Sequence, residues 1–263
     1  MTTDRTIIRA LADALDEGTA VVMTTVVRTQ HSVPRHAGAK MLIYADGRQL
    51  GTIGGGEMES RVRKAAADAL ATGRPTSLTF DLVDPAHGDP GVCGGSAMIY
   101  LEPFMPQPHL LVIGCGHVGA AVIELAHWLG FRVTAMDDRA DVADPALLPD
   151  ADVVLAGPLD ESLRQVTIDA ETHAVLVTRN VVVDAEVLPI LLASPARSIG
   201  VMGSTRRWAT TRGRLAGAGV TDEQLDRVIS PIGLDISAET PAEIALSIMT
   251  EIVGLRHTAP AAT

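Results

Sequence analysis

The chain has 263 residues, a formal net charge of −11 and only 3% aromatic residues. That length suits one large domain or two modest ones, and 47% apolar residues can fill cores built from Val, Leu, Ile, Ala and Met. The acidic balance argues against a nucleic-acid or anionic-membrane partner, and so few rings make a poor stacking platform for single strands. Two cysteines, Cys93 and Cys115, exclude a disulfide framework. The charge is uneven: residues 1–105 hold 10 Lys+Arg against 12 Asp+Glu, and residues 106–263 hold 11 against 20. A phosphate ligand therefore has to be held by local groups. The N-terminus carries no secretory apolar region, and the most apolar window, about residues 109–131, contains Glu124 and four glycines. It reads as strand–turn–helix rather than a membrane span, and the expected location is the cytoplasm.

Helical spacing of Ile7, Ile8, Leu11 and Leu15 predicts a helix over 4–17, stopped by Gly18. The run AVVMTTVV predicts a buried strand over 20–27. Residues 40–45 and 48–54 read as a hairpin whose Asp46-Gly47 supplies the positive φ angles of a type I′ turn. A helix follows over 57–72, then strands over 76–82 and 96–103, with a Gly/Pro/Asp-rich loop over 84–95 between them. The stretch PFMPQP, residues 103–108, is the domain boundary, because three prolines stop regular structure. Beyond it strands (110–113, 131–136, 152–156, 173–177, 197–202) alternate with helices (117–129, 159–165, 181–193, 204–217, 241–255). The expected architecture is a mixed α/β domain over 1–105, then a Rossmann-type domain over 106–263, a doubly wound parallel sheet.

Glycine-rich motifs carry the candidate chemistry. GCGHVG, residues 114–119, lies between a strand and a helix. There Gly116 lets a phosphate approach, Gly119 lets helix pack on strand, and the helix N-terminus faces the ligand. Asp137, 23 residues after Gly114, stands where an acid holds a ribose hydroxyl, which favours NAD over NADP. Cys115 reads as small filler, and His117 as a phosphate contact or a helix cap. Three consecutive glycines, Gly54, Gly55 and Gly56, precede a helix with Glu57 and Glu59 in its first turn. They read either as a close ligand approach or as a tight turn with capping. Arg35, His36 and Lys40 make an anion loop or a plain solvated loop. Cys93 sits between glycines in GVCGG and reads as an accessible thiol or as small buried filler. Ser204, Arg206 and Arg207 open a helix and form an anion clamp or a basic face.

Taken together, SVPRHAGAKMLIYADG, GTIGGGEMES and CGG in the first half, with GCGHVG, MDDR, GVMGSTRR and SPIGLDISAETPAEIALSIMTEIV in the second, resemble the XdhC/CoxI family. These are accessory proteins of molybdenum hydroxylases such as xanthine dehydrogenase and carbon monoxide dehydrogenase. The resemblance implies a chaperone that binds molybdenum cofactor in its molybdopterin form, supports its sulfuration and inserts it into the apo-hydroxylase. A cysteine desulfurase would be the sulfur donor, and a homodimer is compatible with the chain. The resemblance places sulfur handling or a molybdenum contact on Cys93, and cofactor binding on Arg35, Lys40, Gly54, Gly55, Gly56, Glu59, Gly94 and Gly95. The Rossmann turn, Gly114, Gly116, His117, Gly119 and Asp137, with Ser204 and Arg206, would complete the cradle. The chain departs from the family pattern at Arg179, Asn180 and Ile229. The alternatives are an NAD-dependent oxidoreductase, for which no acid/base constellation is evident, and a binding scaffold with a silent Rossmann domain.

Overall fold

The computed structural model describes residues 3–82 and 94–257. The chain divides into two compact units, Met1–Gln107 and Pro108–Thr263.

The first unit begins with helix α1 (Asp4–Asp16), capped by the Thr3 hydroxyl and ended where Gly18 takes φ +74°. Strands β1 (Val21–Gln30), β2 (Lys40–Tyr44) and β3 (Gln49–Gly51) lead to helix α2 (Gly56–Thr72), then to β4 (Thr76–Asp81) and β5 (Ser96–Phe104). The sheet order is β3-β2-β1-β5-β4 and every pairing is antiparallel. Alternation sends Val22, Val26, Ile99 and Leu101 to the face covered by Met58, Val62 and Ala66 of α2. The other face sends Val21, Met23 and Leu42 to Ile7 and Ala14 of α1. Each such fully buried aliphatic side chain contributes about 1.5–3 kcal/mol.

The hairpin forms between β2 and β3, but its turn is not type I′. Only Gly47 has a positive φ, at +84°, and Asp46 does not. Gly47 N donates to Tyr44 O, closing a turn that ends on a left-handed glycine. Asp46 is drawn away by Arg48, whose N and Nε both donate to its carboxylate.

In the second unit, β6 (His109–Ile113), α3 (His117–Trp128), β7 (Arg132–Asp137), β8 (Val153–Ala156), α4 (Leu159–Leu163), β9 (Thr172–Leu176) and α5 (Val181–Leu192) come first. After them follow β10 (Ser198–Val201), α6 (Thr205–Gly217), α7 (Asp222–Leu225), β11 (Val228–Ile229) and α8 (Pro241–His257). The short α7 and β11 were not expected from the sequence. All pairings are parallel, in the order β11-β10-β9-β6-β7-β8. Counted from β6 as the first strand, this is the Rossmann order 3-2-1-4-5-6. β6 and β9 are buried at every position, as central parallel strands covered on both faces must be. One face packs on Val122, Ile123, Ile248 and Ile252, from α3 and α8; the other packs on Leu159, Val187, Leu191 and Leu215, from α4, α5 and α6.

Two buried histidines tie the strands at the edge opposite the glycine turn. His109 bonds through Nε2 to Thr134 at 2.9 Å and through Nδ1 to Thr172 at 3.2 Å, and His173 Nδ1 meets Ser198 at 2.7 Å. Burial holds both imidazoles down at a pKa of about 4.

Candidate functional site

The antiparallel sheet brings the N-terminal motifs to one of its ends. β1 finishes there at Gln30, β2 and β5 start there at Lys40 and Ser96, and β3 and β4 finish there at Gly51 and Asp81. The Pro34-Arg35 loop lies in the middle. Pro34 presses on Gly54, where an added Cβ would come 3.1 Å from its Cβ and 2.5 Å from Met58 Cε. Gly95 lies against the carbonyls of Gln30 and Ser32 so closely that no side chain fits. Gly94 N donates to Leu82 O at 2.7 Å, and Leu82 N donates to Gly95 O at 2.9 Å. Thus Arg35, the triple glycine and Gly94-Gly95 share one neighbourhood. Cys93, which precedes Gly94, lies outside the described residues.

Glu59 organises this loop. Its carboxylate is buried and accepts from Thr52 Oγ1 (2.5 Å), Gly55 N (2.9 Å), Ile53 N (3.1 Å) and Gln49 Nε2 (3.1 Å). Burial pushes its pKa up, but these four donors outweigh that and hold it below the usual carboxylate value. Glu59 thus anchors the loop from behind rather than facing outward from the first turn of α2. Glu57 is paired with Arg61 at 3.2 Å. Of the two acids at the α2 N-terminus, Glu57 is thus paired with a cation and Glu59 is bound into the glycine loop itself. Gly54, Gly55 and Gly56 all take positive φ, and an added Cβ at Gly55 or Gly56 would meet nothing within 4 Å. Arg35 is exposed and has no side-chain partner among the described residues. Lys40 is drawn off, donating to Gly38 O at 3.0 Å and lying 3.7 Å from Asp4.

The Rossmann turn has the expected backbone and different electrostatics. At Gly119 a Cβ would overlap Gly114 O, so this glycine is needed for helix–strand packing; at Gly116 a Cβ meets nothing within 4 Å. No side chain caps α3, and His117 is exposed. Cys115 is buried, and burial with the nearby Asp137 pushes its thiol up to about 12, consistent with filler. Asp137 is only 3% exposed and fully engaged. Its Oδ1 accepts from Arg139 N (3.0 Å) and Nε (2.9 Å), and its Oδ2 from Cys115 N (2.8 Å) and Arg139 Nη2 (2.9 Å). Four donors fill the lone-pair sites of a carboxylate, so a ribose hydroxyl finds an acceptor here only by displacing one of them.

The neighbouring charges are likewise paired with one another. Arg179 donates both terminal nitrogens to Asp138 at 2.6 Å, and these hydrogen bonds draw the Asp138 carboxyl down to about 2. Arg207 clamps Asp184 with Nε at 3.0 Å and Nη2 at 2.7 Å, and it also holds the carbonyl and hydroxyl of Thr178. Thr178 in turn donates to Asp184, which is fully buried. Asn180 caps α5. Ser204 caps α6 through Arg207 N, and Arg206 is exposed with no side-chain partner among the described residues.

A cavity of about 530 Å³ past the ends of β10 and β11 was not expected from the sequence. Met202, Ile232, Leu234 and Ile236 give it apolar walls, with Asp235 and Ser247 at its edge. The alternation of small and apolar residues in the SPIGLDIS run that lines it was the available signal. Among the described residues no three His, Cys, Asp or Glu groups gather as metal ligands, and no helix is long and apolar enough to cross a membrane.

Residues 110–252 match the XdhC Rossmann domain, and residues 14–81 match the XdhC and CoxI family. The uncharacterized protein YqeB of Escherichia coli is 32% identical over 90% of this chain and 44% of its own length. A protein of Bacillus subtilis described as a probable xanthine dehydrogenase component is 28% identical over 60% of this chain and 46% of its own length. The molybdenum cofactor insertion chaperone PaoD of Escherichia coli is 24% identical over 96% of this chain and 88% of its own length. The chain thus spans less than half the length of the first two.

Proposed function

The chain belongs to the XdhC and CoxI family, and on that premise we propose that it carries molybdenum cofactor, in the molybdopterin form, to an apo-hydroxylase of the xanthine dehydrogenase type. The observation that carries this reading is the convergence of the Pro34-Arg35 loop, the triple glycine and Gly94-Gly95 at one end of the N-terminal sheet. The residues suit a phosphate-bearing pterin: Arg35 is an uncommitted cation, the space beside Gly55 and Gly56 is open, and Glu59 is spent inside the loop, where it holds the Gly55 amide. Support for the cargo comes from the kinship with PaoD, and for the recipient from the kinship with a probable xanthine dehydrogenase component.

In this reading Arg35 and the backbone N–H groups around Gly56 hold the phosphate. Gly94 and Gly95 lie at this end of the sheet, and Cys93 precedes them in the sequence. When bound, the cofactor would supply a molybdenum centre able to take up sulfur, and the protein's part would be to hold its phosphate and shield it. Cys93 is the thiol that contacts the metal or handles the sulfur delivered by a cysteine desulfurase. The test is anaerobic mixing with cofactor released from a molybdoenzyme, then gel filtration with molybdenum and pterin assays. The expected result is co-elution near one equivalent, falling at least tenfold in Cys93→Ser. Absence of molybdenum and pterin from the protein peak of the unaltered chain overturns the reading.

A further inference from the structure

The Rossmann crevice carries a bar made of the chain's own side chains. In the sheet, β6 lies between β9 and β7. Arg179 follows the end of β9, and Asp138 follows the end of β7. Their two-pronged ion pair, at 2.6 Å on each prong, therefore crosses the end of β6 where the glycine turn begins. Arg179 Nη1 also lies 3.9 Å from Asp137 Oδ1, tying the bridge to the acid that Arg139 already saturates. The space enclosed by Ile113, Gly114, Asp137, Asp138, Thr178 and Arg179 is about 10 Å³, room for one water molecule at most. In an open sheet of this order a dinucleotide crosses at the strand carboxyl ends, where the strand order reverses between β6 and β9.

We propose that the Arg179–Asp138 bridge is an autoinhibitory contact that bars a dinucleotide from the Rossmann crevice. The turn keeps the backbone for such a ligand, while Arg179 occupies its path and neutralises the acid on the far side. Both partners are partly exposed, at 42% and 35% of their side chains. The bridge can therefore be removed without opening the core. The inference does not depend on the cofactor proposal, because it concerns only contacts within the second unit.

The experiment is fluorescence titration of the full chain with NADH, alongside calorimetry with ADP. The unaltered protein is expected to show no saturation up to millimolar ligand. Arg179→Ala and Asp138→Asn are each expected to bind at least tenfold more tightly, with thermal melts close to the parent's. Adding Gly116→Val to Arg179→Ala is expected to abolish the gained binding, since a side chain there projects into the open space above the turn. Binding by the parent as tight as by the variants overturns the proposal. So does silence from both folded variants, and so does gained binding that survives Gly116→Val.

Discussion

The two glycine-rich regions dispose of their charges in opposite ways. At the end of the N-terminal sheet, one carboxylate, Glu59, is turned inward to fix the loop, and Arg35 is left uncommitted. At the carboxyl ends of the parallel sheet, Asp137, Asp138 and Asp184 are each answered by an arginine of the same unit. The glycine turn with the more familiar pattern is thus the one whose polar groups are occupied. A glycine motif shows where backbone can come close to a ligand; the surrounding ion pairs decide whether one is admitted.

If that contrast is right, changes in the parallel-sheet region should move stability, and changes at the N-terminal end should move ligand retention. The largest expected effect is for Asp184→Ala. It strands the Arg207 guanidinium, 18% exposed, and should cost about 3–5 kcal/mol in urea unfolding. A loss below about 1 kcal/mol would mean the cluster is not structural. Next is acid sensitivity from His109 and His173. Their folded pKa of about 4 lies below the ordinary 6.5. The unfolded chain therefore binds more protons between those values, so stability is full above pH 6.5 and drains away as pH falls toward 4. Between about pH 7 and pH 5 the loss should be about 2 kcal/mol for each histidine. Replacing both with uncharged residues should flatten that slope.

Glu59→Ala comes third, at about 1–3 kcal/mol, because it orphans donors of Thr52, Ile53 and Gly55. Unlike the Asp184 variant, it should also lower cofactor retention, with Glu59→Gln in between. The smallest stability effect belongs to Arg35→Ala, within about 0.5 kcal/mol for an exposed side chain. Yet it should weaken retention severalfold, with a shallower dependence on salt. A variant that melts normally and retains cofactor fully would remove Arg35 from the site and weaken the contrast.

The parallel-sheet unit was legible in detail because its spacing is strict: strand–helix alternation placed the expected elements within two residues of their ends. α7 and β11 escaped because four and two residues carry no periodicity. The turn at Asp46-Gly47 was misread because Arg48 competes for the aspartate, a contact that a dipeptide signal does not contain. At the site, the glycine positions were legible but the charge pairing was not. Arg207 and Asp184 are 23 residues apart, and Arg179 and Asp138 are 41. Nothing in local sequence says that such groups meet. Asp137 looked available although Arg139, two residues on, supplies three of its four donors, because sequence alone does not show which way the Arg139 side chain turns; the fourth, the Cys115 amide, is 22 residues away.

Glu59 has a consequence for rates. Because its carboxylate already ties Ile53, Gly55, Thr52 and Gln49 together, the loop is set before any cargo arrives. Association then needs no slow folding step and can run at the speed of encounter. Departure leaves the loop as it was, ready for the next round. In the proposed carrier role, a pre-set loop favours quick exchange over long residence.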